Sequence, residues 1–167
     1  MSIFDVKHQQ RAQELIQRGL ASGRMPHAYI FCGPSGVGKE MMAVRLAGVL
    51  LCSQPRVVDR PQGRAGLAGA SRWRDACGQC RDCRLMQAGA HPDLHLISKE
   101  LHSYHPDPEV RRLKGLELSV QVIRQFLIRP AAERSSLGRA KVFIVLQADR
   151  MSQAAQNALL KTLEEPP

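Results

Sequence analysis

The sequence predicts a three-layer α/β fold with a mainly parallel sheet, and three observations carry that prediction. A glycine-rich octapeptide, Gly33 to Glu40 (GPSGVGKE), stands between an apolar run, Ala28 to Cys32, and a segment of helical pattern. Further on, Lys141 to Leu146 (KVFIVL) is continuous and β-branched, as a strand covered on both faces requires. Between and around them, short apolar runs alternate with helical segments, the order that builds a parallel sheet with helices on its faces.

The octapeptide fits the phosphate-binding template G-x-x-x-x-G-K-[ST] in all but its last position. Gly33, Gly36 and Gly38 give the backbone conformations that a Cβ would forbid. With Pro34 and Val37 they form a loop whose N–H groups can cradle a phosphate, helped by the positive end of the helix that follows. Lys39 is placed to reach the outer phosphates. The template then needs a hydroxyl to hold Mg²⁺, and the chain has Glu40. A carboxylate there differs in size and would face the nucleotide's own negative charge. The loop therefore predicts a phosphate cradle with a faulty metal position, in a fold of the P-loop NTPase kind. A glycine-rich turn alone would carry no chemistry; the strand before it and the helix after it supply the required context.

The elements follow in order. Residues 7–22 read as an amphipathic helix with Ala12, Leu15, Ile16 and Leu20 on its inner face and Gly23 as its stop. Ala28 to Cys32 reads as the first strand, with Cys32 a core cysteine. Met41 to Leu51 is a helix, apolar nearly all round, suited to packing between a sheet and other helices. Residues 53–76 hold five arginines, two aspartates, three glycines and two prolines, and read as an irregular surface excursion whose end Trp73 pins. Arg84 to Gln87 is helical and stops at Gly89; Leu94 to Ile97 is a strand; residues 98–117 read as loop. Ser119 caps a helix over Val120 to Ile128, which Pro130 ends. A turn at Ser135 to Gly138 precedes the strand Lys141 to Leu146. Ser152 caps a last helix with Ala155, Ala158, Leu159 and Leu163 inward, and Pro166 and Pro167 stop it.

A length of 167 residues fits one domain, or one domain with a small insert. Hydrophobic residues make up 44% but aromatics only 4%, so Leu, Ile, Val and Ala must build the core. No apolar run approaches the roughly 20 residues of a membrane span. The first residues lack a signal-peptide pattern, so a cytoplasmic location is expected. The net charge of +9 permits nucleic acid or another polyanion as partner. It equally fits arginine-rich loops with no ligand, because no basic helix or aromatic-plus-basic platform is present.

Five cysteines without a secretion pattern point away from a disulfide framework. Cys77, Cys80 and Cys83 form C-x-x-C-x-x-C, a spacing at which thiolates can grip one ion. Cys52, at the end of the preceding helix, would complete a closed tetrahedral zinc site if the helix returns near the loop. Three reduced thiols and an iron–sulfur cluster are the rival readings, and His91 is an alternative fourth ligand or simply a turn residue before Pro92. No water-activating position is evident, so the metal site is expected to be structural.

A P-loop ATPase ends a core strand in an acidic residue that holds Mg²⁺. Here Leu146 and Gln147 occupy that place, and Asp149 comes three residues later, in the loop. Two parts of the metal machinery are thus altered, Glu40 and Leu146-Gln147. A domain that kept the fold and gave up hydrolysis accounts for both.

The strings HAYIFCGPSGVGK (His27 to Lys39), CGQCRDC followed by LMQAGAHPD, and NALLKTLEEPP (Asn157 to Pro167) resemble the bacterial clamp-loader ATPase family, the DNA polymerase III gamma/tau and delta prime subunits. The resemblance covers most of the chain apart from 53–76 and 98–114. It implies an AAA+ (RecA-like) nucleotide-binding-like domain over 1–167 with a zinc-binding insert at about 52–90, zinc on Cys52, Cys77, Cys80 and Cys83, and no lid or collar domain. The altered metal positions and LMQAGAHPD fit the delta prime branch, which does not hydrolyse ATP. Gamma/tau resembles this chain but carries a hydroxyl at the position of Glu40 and an Asp-Glu pair at Leu146-Gln147. The family's role implies gamma/tau and delta subunits as partners, and the sliding clamp and primer–template DNA through the complex. It also places an arginine for a neighbour's ATP site in a motif beyond Pro167, so the chain reads as an N-terminal fragment. ATP binding is expected to be weak or absent. A gamma/tau-type motor and a zinc-stapled DNA-binding module using Arg56, Arg60, Arg64, Arg72 and Arg74 are the alternatives.

Overall fold

The computed structural model describes residues 2–59, 72–112 and 114–165, which fall into two compact units, Met1–His91 and Pro92–Pro167. The expected excursion at 53–76 lies partly outside the described residues, as do the two prolines expected to stop the last helix.

In the first unit, Ser2 caps a 3-10 turn, Ile3–Asp5: its hydroxyl accepts from the Phe4 amide and its own amide donates to the Asp5 carboxylate. This buries Ile3 and Val6 completely against helix α1, Gln10–Ser22. Gly23 ends α1 in the left-handed conformation (φ 67°) that glycine adopts without strain. The buried face of α1 is rotated from the expected one: Leu15 is 65% exposed, while Gln13 and Gln17 are buried with Ile16 and Leu20. Two glutamines can occupy a core because each amide is matched. Gln13 Nε2 donates to the carbonyls of Ile3 and Val6, at 3.0 and 2.8 Å. Gln17 grips the backbone of Arg74, donating to its carbonyl at 2.7 Å and accepting from its amide at 2.8 Å.

That grip explains a second difference. The stretch read as irregular contains a β-hairpin, β1 (Arg56–Asp59) paired antiparallel with β2 (Arg72–Asp75). The alternation Arg-Trp-Arg-Asp is a two-residue period hidden among charges: Trp73 and Asp75 are buried, Arg72 and Arg74 exposed. Trp73 stacks on Phe4 with ring centroids 5.2 Å apart. The Asp75 carboxylate accepts from the amides of Ile3 and Ala76 and lies 3.7 Å from the Arg56 guanidinium. Helix α2, Lys39–Leu51, buries Met42, Leu46, Ala47, Gly48, Val49 and Leu51, and helix α3 runs over Arg81–Gln87.

The expected strand Ala28–Cys32 is not paired among the described residues: Ile30 is 88% exposed and Cys32 is exposed rather than a core residue. Among the described residues of the first unit no neighbouring strand covers these two side chains.

The second unit holds a parallel pair, β3 (Leu94–Ile97) beside β4 (Val142–Val145), with Leu94 opposite Val142 and Ile97 opposite Val145. The residues read as loop after β3 form a 3-10 turn, Lys99–Tyr104, and a short helix α4, Pro108–Arg111, which Asp107 caps and Pro108 opens. Next comes one helical run in three parts: α5 (Val120–Ile123), a π-helical segment (Arg124–Ile128) and α6 (Arg129–Ala131). It passes through Pro130 instead of ending before it. The widened π turns relieve the clash that a proline ring makes with an α-helical carbonyl four residues back. Lys141 Nζ then caps the run's end, donating to the carbonyls of Pro130 and Glu133 at 2.7 and 3.0 Å. Helix α7, Gln153–Glu164, is capped by Ser152 as expected and buries Ala155 and Leu159, whereas Leu163 of the expected inner face is 38% exposed. The core of this unit is Ile97, Leu118, Val122, Ile123, Leu127, Ala155 and Leu159. Among the described residues the mixed α/β character is thus plain, with parallel pairing in β3–β4.

Candidate metal centre and phosphate loop

The two candidate sites of the first unit stand at opposite ends of α2. At its start, Gly33, Gly36 and Gly38 all take positive φ (148°, 79° and 93°), as the phosphate-loop pattern requires. Gly38 has a second reason to lack a side chain, since a Cβ would meet Val6 Cγ1 at 3.2 Å. Lys39 folds over its own loop and donates to the carbonyls of Gly33 and Pro34 at 2.8 and 2.7 Å. Its ammonium is therefore held beside the backbone that would surround a phosphate. Gln9 Nε2 donates to the Val37 carbonyl at 3.3 Å, tying the loop to the start of α1. Glu40 is exposed in the first turn of α2. A carboxylate is stable at that positive helix end, but it competes there with any phosphate. Behind the loop, Gln9, Ala12, Phe31, Cys32 and Met42 line a cavity of about 160 Å³ with residues 37–39. In the second unit β4 ends at Val145. Gln147 is an exposed residue at φ 52°, and Asp149 is exposed in the 3-10 turn Ala148–Arg150.

At the far end of α2, Cys52 is the C-cap residue and is 1% exposed. The helix does return: the sulfurs of Cys52, Cys77, Cys80 and Cys83 all lie within 4.8 Å of one another. The close pairs measure 3.6 Å (Cys52–Cys77 and Cys52–Cys83), 3.8 Å (Cys52–Cys80) and 3.9 Å (Cys77–Cys83). Four sulfurs bonded at about 2.3 Å to one tetrahedral ion stand about 3.8 Å apart. A disulfide needs sulfurs at about 2.05 Å, and all four cysteines are free thiols. The donor set thus fits a single metal ion.

The chain folds locally so as to aim these sulfurs. Backbone amides donate to them in sequence: Cys77 to the Cys52 sulfur at 3.4 Å, Cys80 to Cys77 at 3.3 Å, and Cys83 to Cys80 at 3.4 Å. Such N–H···S bonds orient the ligands and spread their negative charge. Cys80 is the N-cap of α3, which places Cys83 one turn along on the same side. Burial pushes the Cys52 and Cys83 thiols up. Burial also opposes ionisation of Cys80, but hydrogen bonds from Ser53 and the Cys83 amide outweigh it and bring that thiol down to about 6. A bound dication would hold all four as thiolates.

Around the sulfurs lies a polar layer that sequence reasoning missed. Asp82 is 8% exposed, and its Oδ2 accepts from the Ser53 amide at 3.1 Å. Its Oδ1 is 3.8 Å from His91 Nε2. His91 is buried and is not one of the clustered donors, so it supports the site from behind rather than replacing Cys52. An aspartate inside a cysteine run was the available signal, since a charge there needs a partner.

The chain belongs to the family described as "DNA polymerase III, delta subunit", whose model matches residues 8–167. It is 37% identical over 147 residues to DNA polymerase III subunit delta' of Escherichia coli (strain K12), covering 87% of this chain and 35% of that protein. It is 30% identical over 158 residues to the delta' subunit of Bacillus subtilis (strain 168), covering 95% of this chain and 38% of the relative. It is also 32% identical over 163 residues to DNA polymerase III subunit tau of Escherichia coli (strain K12), covering 98% of this chain and 20% of the relative. The chain spans about a third of the length of the delta' relatives it matches. No helix among the described residues is long and apolar enough to cross a membrane.

Proposed function

We propose that this chain is part of a delta prime-type clamp-loader subunit of DNA polymerase III, one that helps place the sliding clamp on primed DNA without hydrolysing ATP itself. The observation that carries this reading is the altered metal machinery on a kept cradle. Gly33, Pro34, Gly36, Val37, Gly38 and Lys39 satisfy the phosphate-loop pattern, while Glu40 and Leu146-Gln147 replace the groups that would hold Mg²⁺. Family membership and the relatives named delta' support it. In this reading residues 1–167 form an AAA+ nucleotide-binding-like domain with an insert at about 52–90. ATP binds weakly or not at all, with the Glu40 carboxylate standing at the helix end that would face its phosphates. The partners are gamma/tau and delta subunits, and the protein works in the cytoplasm.

The cysteine centre holds zinc in this proposal, with Cys52, Cys77, Cys80 and Cys83 as its four ligands. Four thiolates suit zinc or an iron–sulfur cluster. Zinc is preferred because the sulfur spacing is that of one ion and nothing nearby suggests redox chemistry. The metal supplies cross-linking: it joins the end of α2 to the loop and helix at 77–87.

The similarity to tau favours a second reading, an ATP-hydrolysing motor subunit. Mg²⁺-dependent ATP turnover by the full-length protein, alone and assembled with its partners, separates the two. The proposal expects no turnover attributable to this subunit. Turnover abolished by Lys39→Ala would make the protein a motor.

A further inference from the structure

The four sulfurs come from two separate places in the chain, and this poses a positioning problem. Cys77, Cys80 and Cys83 lie within seven residues, and the amide-to-sulfur bonds order them among themselves. Cys52 precedes Cys77 by 25 residues. The Cys77 amide reaches the Cys52 sulfur at 3.4 Å, and Cys52 shares a buried apolar cluster with Ala76 and Cys83. Between the chain after Cys52 and the turn carrying Cys80 there is a gap that a polar side chain bridges.

Asp82 is built into that gap. Its Oδ2 accepts from the amide of Ser53, the residue next to Cys52, at 3.1 Å. The same oxygen lies 4.0 Å from the Cys80 sulfur. The other oxygen faces His91, whose side chain is 1% exposed, at 3.8 Å. A carboxylate is a costly choice for this place. Four thiolates around a dication already leave a net negative charge, and like charges close together and out of water repel strongly. Charge balance therefore does not account for Asp82, whereas the reach of its oxygen to the Ser53 amide does.

We propose that Asp82 is a positioning residue of the metal centre. Its buried carboxylate brackets the chain after Cys52 to the turn carrying Cys80 and Cys83, and His91 packs behind it to fix the bracket. The inference rests on the zinc reading and extends it to groups outside the sulfur set. Loss of such a supporting group typically weakens metal retention about tenfold to a hundredfold.

The test uses the full-length protein, loaded with zinc and mixed with an excess of a chelating dye, so that release is timed. Cobalt substitution is run in parallel to report the donor set by its sulfur-to-metal absorption. Asp82→Ala is expected to release zinc about tenfold to a hundredfold faster than the wild type, with the four-thiolate cobalt spectrum kept. Asp82→Asn, which retains an oxygen for the Ser53 amide and discards the charge, is expected to stay close to the wild type. It also keeps the test decisive if the alanine variant folds poorly. Unchanged release in Asp82→Ala overturns the proposal. Equal acceleration in both variants also overturns it, because the charge rather than the bracket would then matter. If the wild type binds neither zinc nor cobalt, the zinc reading itself fails and this inference falls with it. A four-thiolate spectrum with release insensitive to Asp82 defeats the inference alone.

Discussion

Helix α2 begins at the phosphate loop and ends at the cysteine centre, and its two ends are finished differently. At the cysteine end the donors are side chains that converge to metal-binding distance, backed by amides, Asp82 and His91. At the loop end the donors would be backbone groups, Lys39 is engaged with its own loop, and Glu40 stands open to solvent. At one end four sulfurs converge within a single folding unit. The other offers a cradle with Lys39 in place and Glu40 where the pattern has a hydroxyl. In the proposed reading the fold is kept for its shape and contacts, and a metal ion at the cysteine end staples it.

The largest expected effect comes from undoing the staple. Chelation, or Cys83→Ser, should cost on the order of 5 kcal/mol or more in the first unit. Thermal melting with and without chelator reads this, and an unchanged melting curve would erase the contrast between the two ends. Gln17→Ala comes next. It leaves the part-buried amide and carbonyl of Arg74 without their clasp, three residues before Cys77, and should cost about 1–3 kcal/mol in denaturant unfolding. No change would mean that the hairpin does not support the metal loop.

At the other end, Gly38→Ala meets both a φ of 93° and Val6 Cγ1 at 3.2 Å. A loss of about 1–2 kcal/mol is expected, with zinc content unchanged. Zinc loss in that variant would show that the two ends are coupled through α2.

The smallest effect is a control in the second unit, where no metal is invoked. Burial, and then the Lys141 cation, lower the pKa of His95 from its ordinary 6.5. Between the folded and unfolded values the unfolded chain binds the extra proton. The contribution of His95 is therefore full above pH 6.5 and declines as the pH falls below it towards the folded value. Replacing it by Phe, which can keep the 4.7 Å stack on Phe143, should flatten that acid slope. An identical slope in the variant would remove His95 from the account.

What was legible in the sequence follows the same division. The phosphate loop and the cysteine run are defined by residue type at fixed spacing, and the structure gives positive φ at the three glycines and a four-sulfur cluster. Helices with clear caps, at Ser119 and Ser152, also stood where the sequence placed them. Two misreadings arise where polar residues do the work of apolar ones. Gln13 and Gln17 belong to the core of α1 because their amides pair with backbone, which hydrophobic periodicity cannot register. The hairpin was hidden because arginines on its outer face masked the alternation of Trp73 and Asp75. Pro130 marked an end that the π turns carry the helix past. Ala28–Cys32 reads as a strand from composition, yet pairing depends on neighbours that no local pattern specifies.

In the proposed reading Cys52 and the three clustered cysteines hold one structural zinc ion. The most direct measurement is X-ray absorption at the zinc edge, on full-length protein purified without added metal. The account predicts one zinc per chain with four sulfur neighbours at about 2.3 Å. Protein free of zinc, a signal from iron, or a shell in which nitrogen or oxygen replaces sulfur would contradict it.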